Sequence, residues 1–526
     1  MSTQRRLVSP MLLGFGAIIL LAFFLRFYNI ENLPAGLYPD EAMNGTNAIT
    51  ANETGDYKLF YEENSGREGL FINLQALALR TFGYTIPALK LWSAIFGTLT
   101  ALGIGLLAWE LFSRRSAALI AAFITATSYW AINFSRIGFR AIMTSFLLSF
   151  SFYFFFRGLR TRKILPFLLA GGIFGLGVHT YIAFRAAPVI LILLLPFLML
   201  SYENFLKHYW KHALAFVFAA FITASPMFYD FYQNPHHFSD RSEDISIFSP
   251  KVNHGDLFGT LSKTIGLSLI KYNFVGDQNF RHNYAPYPIL DPIIGTFFLA
   301  GFLFLLGQTW RLLRARIQRK EYHPHLARNA LLFIIFFVML APEYLTNESL
   351  PHALRSIGTQ VPVFLFATFP VLFLFNLALR NKGSRKIVFL SFIILALGTS
   401  ALWNTVKYFS FFAHHPKQYS SFGATFKNMA QHINTAPEET RMYLHANTGY
   451  IDLQAILFQT YHQARNFTVL KPGTSIIAPA EIIMMRFDED LYSRIKVLSP
   501  QAYTETIPSD SGYADFKTIV IPGVQK

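Results

Sequence analysis

The chain has 526 residues, of which 53% are hydrophobic and only 14% charged, with 56 Phe and 25 Tyr. Soluble domains carry about 25% charged residues, and a soluble chain of this length would divide into several domains, each needing a polar surface. The charge for that is missing, which excludes an ordinary soluble enzyme. The absence of cysteine excludes disulfides, zinc thiolates and cysteine nucleophiles. A net charge of +15 would suit a nucleic-acid surface, but its distribution points elsewhere.

A membrane-spanning helix needs about 20 mainly apolar residues. Taken in chain order, eleven stretches qualify: 11–28, 87–112, 116–132, 141–158, 164–180, 184–201, 211–229, 290–312, 328–345, 357–379 and 386–408. Arg5 and Arg6 precede the first. No small-residue cleavage site follows it, so it reads as a retained anchor and not as a signal peptide. With Arg5 and Arg6 placed inside, the inner connections hold 20 Lys/Arg and only two acids, Glu203 and Glu321. The outer ones, more than twice as long, hold 12 Lys/Arg and 16 acids. This is the positive-inside asymmetry. The basic charge therefore carries topology, and no nucleic-acid partner is expected. The odd span number puts the C-terminus outside.

Two outer loops, 29–86 and 230–289, are too long to be simple connections. In the first, Tyr38-Pro39-Asp40-Glu41 predicts a helix start, with Pro and acids in the first turn. Segment 68–82 is short and apolar, suiting an interfacial helix or an additional span. The expected organisation is a membrane domain over 1–409 and a small soluble α/β domain over 410–526. That tail should contain strands at 441–446, 467–470 and 517–521 and a helix at 449–464. Asp488-Glu489-Asp490 reads as a solvated turn.

The adjacent carboxylates Asp40 and Glu41 fit either a helix-dipole partner or a general base or metal ligand at the outer surface. Other polar groups gather on the same side: Arg67 and Glu68; Arg136 and Arg140; His179, Tyr181 and Arg185; Arg281 and His282; His352 and Arg355. Ionisable groups at membrane depth are candidates for function, and Arg suits phosphate. A single Arg could equally snorkel to headgroups, but five clusters on one face favour a binding surface.

These residues resemble a family. Tyr38–Glu41, Gly66–Gln75, Leu89–Leu99, Ser128–Arg140, Gly276–Asn283 followed by Pro288–Pro292, and Pro351–Arg355 are together similar to the GT-C membrane glycosyltransferases, in their bacterial protein-mannosyltransferase/aminoarabinose-transferase-like branch. The resemblance covers about residues 10–410. It implies a polytopic enzyme of the bacterial plasma membrane that moves a sugar from a polyprenyl-phosphate carrier to an extracytoplasmic lipid, glycan or protein acceptor. It further implies Asp40 as the base, Glu41 as its neighbour positioning acceptor or metal, and the cationic residues above as phosphate ligands. Some relatives hold a divalent cation with Asp-X-Asp. Here the pair is Asp-Glu, so a divalent cation is an open cofactor and none is expected with certainty. The competing class is a transporter or flippase, whose sites lie near the midplane on broken helices in repeated halves. Acids within the spans are scarce and no paired halves are evident.

Overall fold

The structure, a computed structural model, describes residues 10–238, 245–461, 467–471 and 473–523. Arg5, Arg6 and the last positions of the expected 449–464 helix lie outside them. The chain forms two compact units, one of residues 1–28, 58–71 and 92–410 and one of residues 29–57, 72–91 and 411–526. The second differs from a tail beginning at 410, because two pieces of the first long loop belong to it.

The first unit is helical and polytopic. Among the described residues, eight helical stretches lying wholly or mostly in this unit are long and apolar enough to cross a membrane: Ile86–Phe112, Ile142–Thr161, Ile182–Ser201, Phe205–Gln233, Pro292–Arg319, Pro324–Tyr344, Ile357–Arg380 and Gly383–Phe412. A ninth is α5 (Arg115–Thr127) and α6 (Tyr129–Arg136), bent by 59°. Helix α1 (Pro10–Phe27) and the stretch Ile164–His179 are apolar and shorter. All eleven expected spans thus have a helix. Helix α3 (Leu70–Phe82) has 13 residues, about 20 Å at 1.5 Å per residue, short of a hydrocarbon core of about 30 Å.

The bend at Ser128 leaves carbonyls at the end of α5 without helical partners. Arg26 supplies them: its Nη1 donates to Ala126 O (3.1 Å) and its Nη2 to Thr125 O (3.3 Å). Arg136 returns the service, donating to Leu25 O (3.0 Å) and Arg26 O (3.1 Å) at the end of α1. A buried arginine of α1 thus caps α5, and a buried arginine of α6 caps α1.

Elsewhere glycine lets backbones touch, the usual device where lipid gives helices no hydrophobic reason to associate. A Cβ at Gly301 would lie 1.8 Å from Phe366 O. Because the obstacle is backbone, Gly301→Ala should push the helices Pro292–Arg319 and Gln360–Arg380 apart. The expected cost is about 1–3 kcal/mol, read as a lower Tm in detergent.

The second unit is an α/β layer structure. Its sheet has the order β4-β3-β5-β7-β6, from β3 (Arg441–His445), β4 (Phe467–Val469), β5 (Ala480–Met484), β6 (Tyr503–Ile507) and β7 (Phe516–Ile521). β3 runs parallel to β4 and β5, while β7 is antiparallel to β5 and β6. Alternate residues feed two cores: Met442, Leu444 and Ile483 with Met429, Ile433 and Ile456 on one face, and Tyr443, Ile482 and Met484 with Ile495 and Ile519 on the other. β5 is buried along its whole length, so it lacks the alternation that would reveal it. Asp488 begins a helix, Glu489–Leu498, and accepts from Leu491 N (2.9 Å). The acidic triplet is therefore a helix cap and not a free turn.

The helix expected at Tyr38–Glu41 is α2 (Pro39–Thr54), and it packs against the tail helix Tyr450–Thr460. A Cβ on Gly45 would meet the Phe458 ring at 2.5 Å, Thr46 Oγ1 donates to Gln454 Oε1 (2.6 Å), and Tyr461 hydrogen-bonds Glu53.

Candidate functional site

In the first unit the site grows from a two-stranded hairpin, β1 (Phe60–Tyr61) and β2 (Arg67–Glu68), paired Phe60↔Glu68 and Tyr61↔Arg67. Its turn needs positive φ at Asn64, Ser65 and Gly66. A Cβ on Gly66 would lie 2.6 Å from the Phe60 ring, so glycine permits the ring to close over the turn. The hairpin buries both Arg67 and Glu68. Arg67 turns back on its own loop, donating to Glu63 O (3.2 Å) and approaching the Glu63 carboxylate (3.8 Å).

Glu68 is the hub. Arg140 Nε donates to its Oε2 and Arg185 Nη2 to its Oε1, each at 3.0 Å. Arg185 also donates to Phe238 O (2.7 Å) and lies over the rings of Phe231 and Phe238 (4.8 and 5.1 Å), while Arg140 lies over Tyr181 (5.6 Å). Burial alone would raise the Glu68 carboxyl. The two guanidiniums outweigh it and hold the group below its ordinary 4.5, so Glu68 is an anion that orients two cations.

Glu68 and Arg185 border a cavity of about 570 Å³, with Gly66, His237, Glu348 and Arg355 among its other walls. Arg355 donates to Thr346 Oγ1 (2.7 Å) and pairs with Glu348. A second, mostly apolar cavity of about 340 Å³ is lined by residues including Tyr181, Phe248, Pro342 and Leu345, and it shares Ile182, Ile245 and Arg355 with the first. The long loop contributes Ile245 by pairing with the chain near Leu345: Asn347 N donates to Ile245 O and Ile247 N to Leu345 O, both at 3.1 Å.

Of the residues singled out by sequence, Glu68, Arg140, Tyr181, Arg185 and Arg355 come together here, with Arg67 beside Glu68 in β2. Others do not. Arg136 is wholly buried as a helix cap. His179 Nε2 bonds Thr223 O (2.8 Å), pinning a 3₁₀ turn to the helix Phe205–Gln233. Arg281 is tied to Asn279 Oδ1 (3.1 Å), its own carbonyl accepts from Asn133 Nδ2 (2.8 Å), and burial lowers its guanidinium to about 10.

His282 and His352 gather around Asp277, which the sequence reading left without a role. His282 Nδ1 lies 3.0 Å from Asp277 Oδ2, and the two imidazoles stand 4.8 Å apart. Burial first, then electrostatic interaction with His282, Arg355, Lys271 and Arg281, pushes His352 well below its usual 6.5. Among the described residues, two groups could hold a cation: Asp277–His282–His352, all buried, and Glu62–His236–His237 beside the larger cavity. The second pair of histidines was also missed. Its signal was the Asn-Pro-His-His stretch after a span, where Asp230 Oδ2 meets His237 Nδ1 at 2.8 Å.

In the second unit, Asp40 and Glu41 occupy the first turn of α2 behind Pro39. Glu41 is fully buried, with Lys90 Nζ 3.9 Å from its Oε1 and equally buried. Asp40 is only partly buried, so it is the one of the two that solvent reaches.

Residues 70–229 match the family model described as dolichyl-phosphate-mannose-protein mannosyltransferase. No curated protein matches the chain. Among solved structures, ArnT from Cupriavidus metallidurans bound to undecaprenyl phosphate is similar with a TM-score of 0.59 at 13% identity, over 98% of this chain and 99% of that one. Its apo form gives 0.55 at 14%, with the same coverage. The chain has the GT-C fold. A GT-C likeness also extends to the archaeal oligosaccharyltransferase AglB from Archaeoglobus fulgidus, in complex with an inhibitory peptide and a dolichol-phosphate: TM-score 0.50, 15% identity, 86% of this chain and 63% of that one. This GT-C chain is accordingly a multi-pass membrane protein with a C-terminal sheet domain.

Proposed function

We propose that the chain transfers a sugar from a polyprenyl-phosphate carrier to an acceptor on the extracytoplasmic side of the membrane. The observation that carries the reading is the pair of adjoining cavities. The larger offers Arg185 and Arg355, which suit a phosphate, and it adjoins an apolar cavity through Arg355, which suits the first isoprene units. The solved relatives named above, one with undecaprenyl phosphate and one with a dolichol-phosphate, support the same ligand class. The basic inner connections support an inner N-terminus and an outer tail.

The chemistry is a substitution at the anomeric carbon. The acceptor hydroxyl oxygen forms the new bond while the bond to the carrier phosphate breaks, and the phosphate leaves with the electron pair. Asp40 takes the acceptor proton. The guanidiniums of Arg185 and Arg355, steadied by Glu68 and Glu348, stabilise the charge developing on the leaving phosphate. Glu41, committed to Lys90, holds the start of α2.

In nanodiscs, Arg185→Ala should weaken binding of undecaprenyl phosphate by about 10- to 150-fold, the worth of one hydrogen bond to a charged group. Unchanged affinity would remove Arg185 from the phosphate site. Transfer of labelled sugar from a defined polyprenyl-phosphate donor, assayed in the same particles, tests the activity itself.

A further inference from the structure

We propose that Asp277, His282 and His352 form a binding site for one divalent first-row cation of the zinc type. Each offers one ligand atom, and these atoms lie within 4.8 Å of one another. Two imidazoles and a carboxylate are the donor set of a borderline metal such as zinc; calcium and magnesium prefer all-oxygen shells. Three protein ligands leave a fourth position for water.

The surroundings are those of a built site. Asp277 sits in the turn after Gly276, where Asn279 N donates to its Oδ1 (2.8 Å) and Ala353 N to its Oδ2 (2.7 Å). The carboxylate is therefore aimed by backbone from two distant parts of the chain. The His282 ring stacks on Phe134 with centroids 5.6 Å apart. His352 is fixed through its main chain: its N donates to Glu343 Oε1 (2.9 Å), Glu343 is paired with the buried Lys271, and its carbonyl accepts from Ser356 Oγ (3.2 Å). Outer-shell partners of this kind orient metal ligands. Nδ1 of His282 already faces Asp277 Oδ2 at 3.0 Å; a cation would take the place of the proton between them. It would fasten the 277–283 turn to His352, three residues before the cavity-lining Arg355. The proposal concerns metal binding alone and stands apart from the glycosyl-transfer reading.

The test uses full-length protein in detergent. Glu62–His236–His237 is the competing site, so the reference is the His236→Ala/His237→Ala variant. Zinc is measured by mass spectrometry after dialysis, and its ligands by X-ray absorption. The expected result is about one zinc per chain in the reference, with two imidazoles among its ligands. Adding Asp277→Asn or His352→Gln should lower zinc affinity at least tenfold. A reference that holds no stoichiometric zinc overturns the proposal. So does zinc without two imidazoles, which decides the matter even where the added substitutions prevent folding. Zinc retained unchanged in both added variants overturns it as well, leaving the cluster a hydrogen-bonded latch.

Discussion

Replacing Asp40 with asparagine is expected to slow sugar transfer by about 10²–10⁴-fold, the usual worth of a positioned general base, while leaving the amount of folded protein unchanged. The contrast with its neighbour is what makes the result informative. Asp40 is partly exposed in the first turn of α2, and asparagine keeps its size. Glu41 is fully buried with Lys90. Removing the charge from one partner of a buried pair costs about 3–5 kcal/mol, because the other is left uncompensated. Glu41→Gln should therefore act on yield and Tm, and Asp40→Asn on turnover. Full transfer activity in Asp40→Asn, measured per folded molecule with a polyprenyl-phosphate donor, would falsify the assignment of Asp40 as the base.

The second large effect is expected at Glu68. Glu68→Gln deprives Arg140 and Arg185 of the anion that both contact, and the same reasoning gives a loss of about 3–5 kcal/mol. Transfer should fall in parallel, because Arg185 loses one of the groups that orient it. The pH dependence has a definite sign. The Glu68 carboxyl is held below 4.5 in the folded protein, so its stabilisation is complete above the ordinary carboxylate value. It is lost as pH falls below 4.5 through the folded value. Wild-type Tm should accordingly decline on acidification below about 4.5, and Glu68→Gln should flatten that part of the curve. Identical acid limbs in the two proteins would show that Glu68 is not the group responsible.

The membrane architecture was legible because its signal is local. An apolar run of about 20 residues identifies a span without knowledge of its neighbours, and even the α5–α6 break lies inside a continuous apolar run. The start of α2 was legible from Pro39, Asp40 and Glu41 for the same reason. Roles set by distant partners were not. Arg136 carries the same charge as Arg185, but only the arrival of the α1 carbonyls makes it a cap. Asp277 looks unremarkable until His352 and Ala353 come back beside it. Strand β5 hides because both of its faces are covered, and the helix Leu257–Ile270 because 14 residues inside a long loop are too few to stand out. The division into units was the least legible feature, since residues 29–57 and 72–91 fold with a segment more than 300 positions away.

That last feature bears on how such proteins can be cut and recombined. The helix bearing Asp40 is lodged against Gln454, Phe458 and Tyr461 of the tail. A truncation at residue 410 would not yield a trimmed enzyme; it would strip one wall from the helix that holds the candidate base. Nor could the tail be exchanged with that of a relative as a self-contained module. A working graft would have to carry the 29–57 and 72–91 segments with it, so the natural seam of this protein runs through its first outer loop as well as through the end of its last span.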